Sequence, residues 1–234
     1  MREPPAQGYP VVVFLHGLSF SSRMYGSLGE ALVTAGFIGV FSDTARFDSI
    51  QQRADAAALF EALGVANSDP DSPLFGRIDL ERMGLAGHSM GGGSTIHVLA
   101  ENPGYRAGFC FAPGRGRRSF AASAPRVSVP IGIVHGRRDR ILPFERTSTP
   151  LFASLREAGA PAFFALVDAP CDHQNLVRAR PGSTPAGRAV TAASLELCVA
   201  FFQHHLEGRS GVLEGALDRL VRGPGARLEW SGER

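Results

Sequence analysis

Gly87-His88-Ser89-Met90-Gly91 is the stretch of this chain best suited to do chemistry. It follows an apolar run, Met83 to Ala86, and opens a segment of helical pattern, Gly92 to Ala100. A serine at a tight strand-to-helix turn is held in a strained backbone conformation with its hydroxyl projecting. Glycines are needed beside it because side chains would strike the neighbouring strand and helix. The N-terminal end of the following helix favours negative charge developing on a bound carbonyl oxygen. Ser89 therefore reads as a nucleophile. Alone, G-x-S-x-G is a weak signal, because Gly-rich turns containing serine are common. The run Gly87 to Ser94 also echoes a phosphate-binding loop, but Gly93 stands where that loop needs lysine, which argues against a nucleotide.

A serine hydroxyl is a poor nucleophile near neutral pH. It needs an adjacent base, and the base needs a carboxylate to hold its tautomer. Asp139 lies in His135-Gly-Arg-Arg-Asp139-Arg-Ile-Leu-Pro143, and His173 in Asp168-Ala-Pro-Cys-Asp172-His173, so the chain order is Ser, Asp, His. Asp168 and Asp172 compete with Asp139 as partners of His173, although Asp172, next to the base, is badly placed to reach its ring. His88 and His135 read as turn and packing residues. Leu18, Phe20 and Met90 read as lining of an acyl pocket, with core packing as the other explanation.

These residues need elements to bring them together. Continuous apolar runs at Val11–Leu15, Phe37–Phe41, Met83–Ala86, Gly108–Ala112, Ile131–Val134 and Phe163–Val167 read as strands. Between and after them, helical patterns run over about 24–35, 50–63, 92–100, 144–158 and 190–205. Such alternation predicts an α/β fold, a mostly parallel sheet covered by helices on both faces. Ligands bind such sheets beyond the carboxyl ends of the strands, and Leu18, Ser89, Asp139 and His173 all fall just after one. Ala66 to Pro73 reads as a surface loop, and no insertion is long enough for a large cap domain. A short helix is expected over about 212–221, and Gly223 to Arg234 as a loose tail. The whole chain, 1–234, is taken as a single domain with its core at about 9–206 and a C-terminal extension over 207–234.

Composition narrows the function classes. A chain of 234 residues with 44% hydrophobic content suits one α/β domain. A formal charge of +2 is too small to argue for nucleic acid, and the cluster Arg115-Gly-Arg117-Arg118 lacks interleaved aromatics. All 24 positive side chains are arginine. The cysteines Cys110, Cys171 and Cys198 show no metal-ligand spacing, and a Cys171–Cys198 bridge stays open. No run of transmembrane length and no leader is read, so no stable membrane insertion is expected and the protein as written is placed in the cytoplasm, or outside the cell if an upstream segment is missing. The oligomeric state is not readable.

The motifs Pro10-Val-Val-Val-Phe-Leu-His16-Gly17, Asp79-Leu-Glu-Arg82-Met-Gly-Leu-Ala-Gly87-His-Ser89-Met-Gly-Gly-Gly93, His135-Gly136 with Asp139 and Pro143, and His173 together resemble the α/β-hydrolase superfamily. Within it the chain is similar to the bacterial cutinases and polyester hydrolases, and to chlorophyllase-like and platelet-activating-factor acetylhydrolase-like esterases. The resemblance runs from about Tyr9 to about Leu206. It implies an α/β-hydrolase fold and a serine carboxylic-ester hydrolase with Ser89 as nucleophile, His173 as general base and Asp139 as orienting carboxylate. It also implies an oxyanion hole of the Leu18 and Met90 backbone N–H groups, and no metal or organic cofactor. The chain departs from the polyester hydrolases by starting almost at the first strand, by carrying Leu18 where an aromatic residue is common, and by showing no export signal. A small-molecule ester is the expected substrate, with a polyester as an alternative. Thioester or amide hydrolysis, acyl transfer, and a noncatalytic binding protein on the same scaffold are the competing readings.

Overall fold

The computed structural model describes residues 5, 7–43, 47–114 and 120–231. The Arg115–Arg118 cluster lies outside them. The strands are β1 (Tyr9–Leu15), β2 (Ile38–Phe41), β3 (Ile78–His88), β4 (Ala107–Phe111), β5 (Ile131–Gly136), β6 (Ala162–Val167) and β7 (Ala226–Ser231). They form one seven-stranded sheet in the order β2-β1-β3-β4-β5-β6-β7. Every pair through β6 is parallel, and β7 closes the edge antiparallel to β6.

The helices are α1 (Gly26–Thr34), α2 (Ser49–Ser68), α3 (Met90–Leu99), α4 (Ser148–Glu157), α5 (Pro185–Glu207) and α6 (Val212–Arg222). Alternation along β1 shows how they divide. Val12 and Phe14 point into a cluster with Leu28 and Leu32 of α1, Phe201 and Phe202 of α5 and Leu217 of α6. Val11, Val13 and Leu15 point into a second cluster with Ala56 of α2, Ile96 of α3 and Leu151 of α4. A period-2 strand buried on both faces has to be apolar throughout, which is why these strands read as unbroken hydrophobic runs. This is the α/β-hydrolase arrangement that the sequence leads one to expect.

Two expectations need correction and one open question is answered. The tail is not loose: β7 pairs with β6 along its length, with Trp230 opposite Phe163 and their rings 5.5 Å apart. Arg227 and Glu229 face solvent while Leu228 and Trp230 pack on the core, the alternation of an edge strand. Leu213, Leu217 and Leu220 of α6 are also buried, so the core runs past residue 206. Second, α5 starts five residues early, at Pro185: Thr184 Oγ1 accepts the Gly187 N–H at 3.0 Å, and proline at the first helical position needs no acceptor. Third, all three cysteines are buried free thiols, so there is no Cys171–Cys198 bridge. α5 is long and apolar enough by composition to cross a membrane, but its apolar side chains, from Val190 to Leu206, are already committed to the core.

Candidate active site

β3 ends at His88 and α3 starts at Met90, leaving a single residue to make the turn. That residue is Ser89, with φ 57° and ψ −119°, a conformation that costs a non-glycine residue energy. Backbone hydrogen bonds hold it there. The Ser89 N–H donates to Phe111 O at 2.9 Å, and Ser89 O accepts from Gly93 at 3.1 Å and Gly114 at 2.7 Å. The glycines are required by contact: a Cβ on Gly87 would lie 2.3 Å from Gly91 O, and one on Gly91 only 2.0 Å from Leu15 O. The sequence motif is therefore a packing requirement. The Met90 N–H, in the first turn of α3, has no helical acceptor.

The loops after β5 and β6 bring Asp139 and His173 together, both almost fully buried. His173 Nδ1 donates to Asp139 Oδ2 at 2.5 Å. The other carboxylate oxygen, Oδ1, accepts the N–H groups of Ile141 at 2.9 Å and Leu142 at 3.0 Å. His135 Nε2 sits 2.8 Å from Leu142 O, which can only accept, so it carries the proton and shares it with Asp139 Oδ2 at 3.2 Å. Burial alone would push the Asp139 carboxyl up. The bonds from His135 and His173, the His173 charge and the Leu142 N–H outweigh it and hold Asp139 well below the usual carboxylate range. An ionised Asp139 can only accept, and so fixes the tautomer of His173 with its proton on Nδ1. The opposite nitrogen, Nε2, is buried and has no hydrogen-bond partner among the described residues.

The rival carboxylates are occupied elsewhere. Asp168 pairs with Arg137. Asp172 accepts the N–H groups of Gln174 and Asn175 and pairs with Arg180, so it shapes the loop that carries His173.

A second set of contacts links the turn after β1 to the His173 loop. The Gly17 N–H donates to Tyr25 Oη at 2.8 Å, Tyr25 Oη lies 3.1 Å from His88 Nδ1, and His88 Nε2 lies 3.1 Å from His173 O. One proton assignment satisfies all three: His88 Nε2 donates to the carbonyl, and Tyr25 donates to Nδ1 while accepting from Gly17. Burial first, then the His173 charge, lower the His88 pKa well below the ordinary histidine value and keep it neutral. Burial likewise raises the Tyr25 phenol, keeping its proton. From the other side, Gln52 Nε2 donates to His16 O at 3.0 Å. The turn Gly17–Phe20 is closed by the Phe20 N–H to Gly17 O at 3.0 Å, with Ser19 at φ 65°.

Of the apolar residues singled out from the sequence, Leu18 is 53% exposed and Met90 half-buried. Phe20 stacks on His88 with ring centroids 5.9 Å apart and packs against the core. His88 and His135, taken from sequence as packing residues, also carry these polar contacts. Tyr25 and Gln52 have no sequence signal. Among the described residues no group of three or more His, Cys, Asp or Glu side chains is arranged to hold a metal ion.

Comparison with known proteins points the same way. Cutinase est1 of Thermobifida alba is 28% identical over 162 residues, covering 69% of this chain and 53% of that protein. Cutinase 1 of Thermobifida cellulosilytica is 29% identical over 161 residues, covering 68% of this chain and 58% of its own length. A bis(hydroxyethyl) terephthalate hydrolase of Streptomyces coelicolor is 29% identical over 161 residues, covering 69% and 50%. The chain thus spans about half the length of the curated relatives it matches. The sequence model of one family matches residues 6–180, a span that includes the serine turn and both loops bearing Asp139 and His173. The chain belongs to the PET hydrolase-like family.

Proposed function

We propose that the protein is a serine carboxylic-ester hydrolase that works through an acyl-enzyme. The observation that carries this reading is the state of His173: Nδ1 held by an ionised carboxylate, Nε2 buried and unpartnered. An imidazole so held can take a proton on Nε2 and nowhere else. In the proposed cycle the Ser89 Oγ–H gives its proton to Nε2 as Oγ bonds to the ester carbonyl carbon. The carbonyl oxygen, now negative, is met by the N–H groups of Leu18 and Met90, each worth roughly 3–4 kcal/mol to such a transition state. The alcohol leaves with the proton from Nε2, and water then repeats both steps on the acyl group, returning Ser89.

The related cutinases and terephthalate-ester hydrolase favour ester over thioester or amide as the bond cleaved. A small acyl ester is the substrate class proposed. The test is labelling by a fluorophosphonate followed by peptide mass spectrometry, with p-nitrophenyl esters assayed in parallel. The adduct is expected on Ser89, and Ser89→Ala should lose both labelling and turnover. Retention of ester cleavage by that variant would refute the assignment.

A further inference from the structure

Beside the base lies a solvent-open basin of about 560 Å³, whose wall includes His173, Asp172, Ile141 and three arginines, Arg138, Arg140 and Arg180. The charges around it are unevenly satisfied. Arg180 is paired with Asp172, and Arg137, just upstream, turns to Asp168. The Asp139 carboxylate between the two remaining arginines accepts from two imidazoles and two backbone N–H groups. Arg138 and Arg140 are exposed and have no ion-pair partner among the described residues. Other arginines do have one, as in the Arg82–Asp79, Arg106–Glu81 and Arg219–Glu196 pairs. Two arginines without an ion pair thus line one concave surface together with His173. Ile141, 65% exposed, adds an apolar wall to the same basin.

We infer that this basin receives an anionic group, so that the preferred substrates are small esters bearing a carboxylate or phosphate. The inference rests on Ser89 and His173 acting as proposed above, because the basin adjoins the proposed site through His173, which is part of its wall. Arginine suits this role: its planar fork pairs with carboxylate or phosphate through two parallel hydrogen bonds, whereas an apolar acyl chain gains nothing from it. An open basin keeps each pair partly hydrated, so the gain is modest and salt-sensitive.

The test compares p-nitrophenyl hemiglutarate with p-nitrophenyl pentanoate, which share chain length and differ in the terminal carboxylate. The ratio of their kcat/KM values should fall about tenfold in Arg138→Gln/Arg140→Gln. It should recover partly in Arg138→Lys/Arg140→Lys, and it should fall as salt is raised in the wild type. Glutarate and inorganic phosphate, each tried as a competitive inhibitor of pentanoate cleavage, tell the two anions apart, and inhibition by either must weaken in the glutamine variant. A ratio that ignores both the substitutions and the salt, with no inhibition by either anion, overturns the anionic site while leaving Ser89 in place. Turnover that survives Ser89→Ala instead overturns the catalytic reading, and the anionic site with it.

Discussion

Tyr25→Phe removes one oxygen from a fully buried ring and tests the link between the Gly17 turn and the His173 loop. The ring keeps its packing against Phe14, 4.6 Å away between centroids, and against His88 at 6.0 Å. Two polar groups lose their partner: the Gly17 N–H, at 2.8 Å from the phenol oxygen, and His88 Nδ1, at 3.1 Å. Each buried group left unsatisfied costs about 1–3 kcal/mol. The two share one oxygen, so a total near 3 kcal/mol is expected. For a domain of this size that lowers Tm by roughly 6–12 °C. The freed Gly17 N–H also loosens the backbone that presents the Leu18 N–H, the proposed oxyanion donor, and a small displacement of such a donor acts on the transition state more than on ground-state binding. kcat should therefore fall about tenfold with KM little changed. Thermal unfolding by circular dichroism and p-nitrophenyl ester kinetics measure the two effects separately. A variant with Tm within about 2 °C of wild type and unchanged kcat would show that Tyr25 only fills space.

Other outcomes follow from the same geometry. Asp139→Asn should cut kcat by roughly 10⁴ while preserving the fold, because an amide no longer fixes the His173 proton on Nδ1; steady-state kinetics with a melting curve check both halves. Gly91→Ala should fail to give folded protein, since the new methyl would lie 2.0 Å from Leu15 O, and a soluble variant with a native melting transition would contradict this. Acid should weaken the fold in two stages. His205, desolvated by burial and repelled by His204, is pushed down to about 4, and His88 is lowered as well. Both stay neutral in the folded state while the unfolded chain takes up protons below about 6.5, so stability is lost as pH falls from there, the His205 share being gone by about 4. The Asp139 share, present above its unfolded value near 3.9, is lost only below it. Urea midpoints across this range should show the decline, and His205→Gln should flatten its upper part.

How much of this was legible in the sequence depends on how local each determinant is. The serine turn was readable because its requirements fall within seven residues: an apolar strand, glycines where backbones touch, and a helix directly after. Asp139 and His173 were readable as polar residues following apolar runs, the place where a parallel sheet presents its loops. The seventh strand was missed because Ala226-Arg-Leu-Glu-Trp-Ser alternates only on an edge, and the glycines and arginines around it mask the period. The start of α5 was missed although Thr184-Pro185 is a capping pair with a clear rationale. The histidines mark a deeper limit. His88, His135 and His173 all follow buried strand residues or lie in loops beside them, and residue type does not separate them. Partners 7 to 85 residues away do so: a tyrosine and a carbonyl for His88, a serine and a carbonyl for His135, one carboxylate for His173. With both nitrogens of a buried ring occupied, an imidazole braces the structure and cannot accept a proton without breaking a bond. Of the three, only His173 keeps a nitrogen without a partner among the described residues, and its proposed role as the base rests on that difference from the two braces.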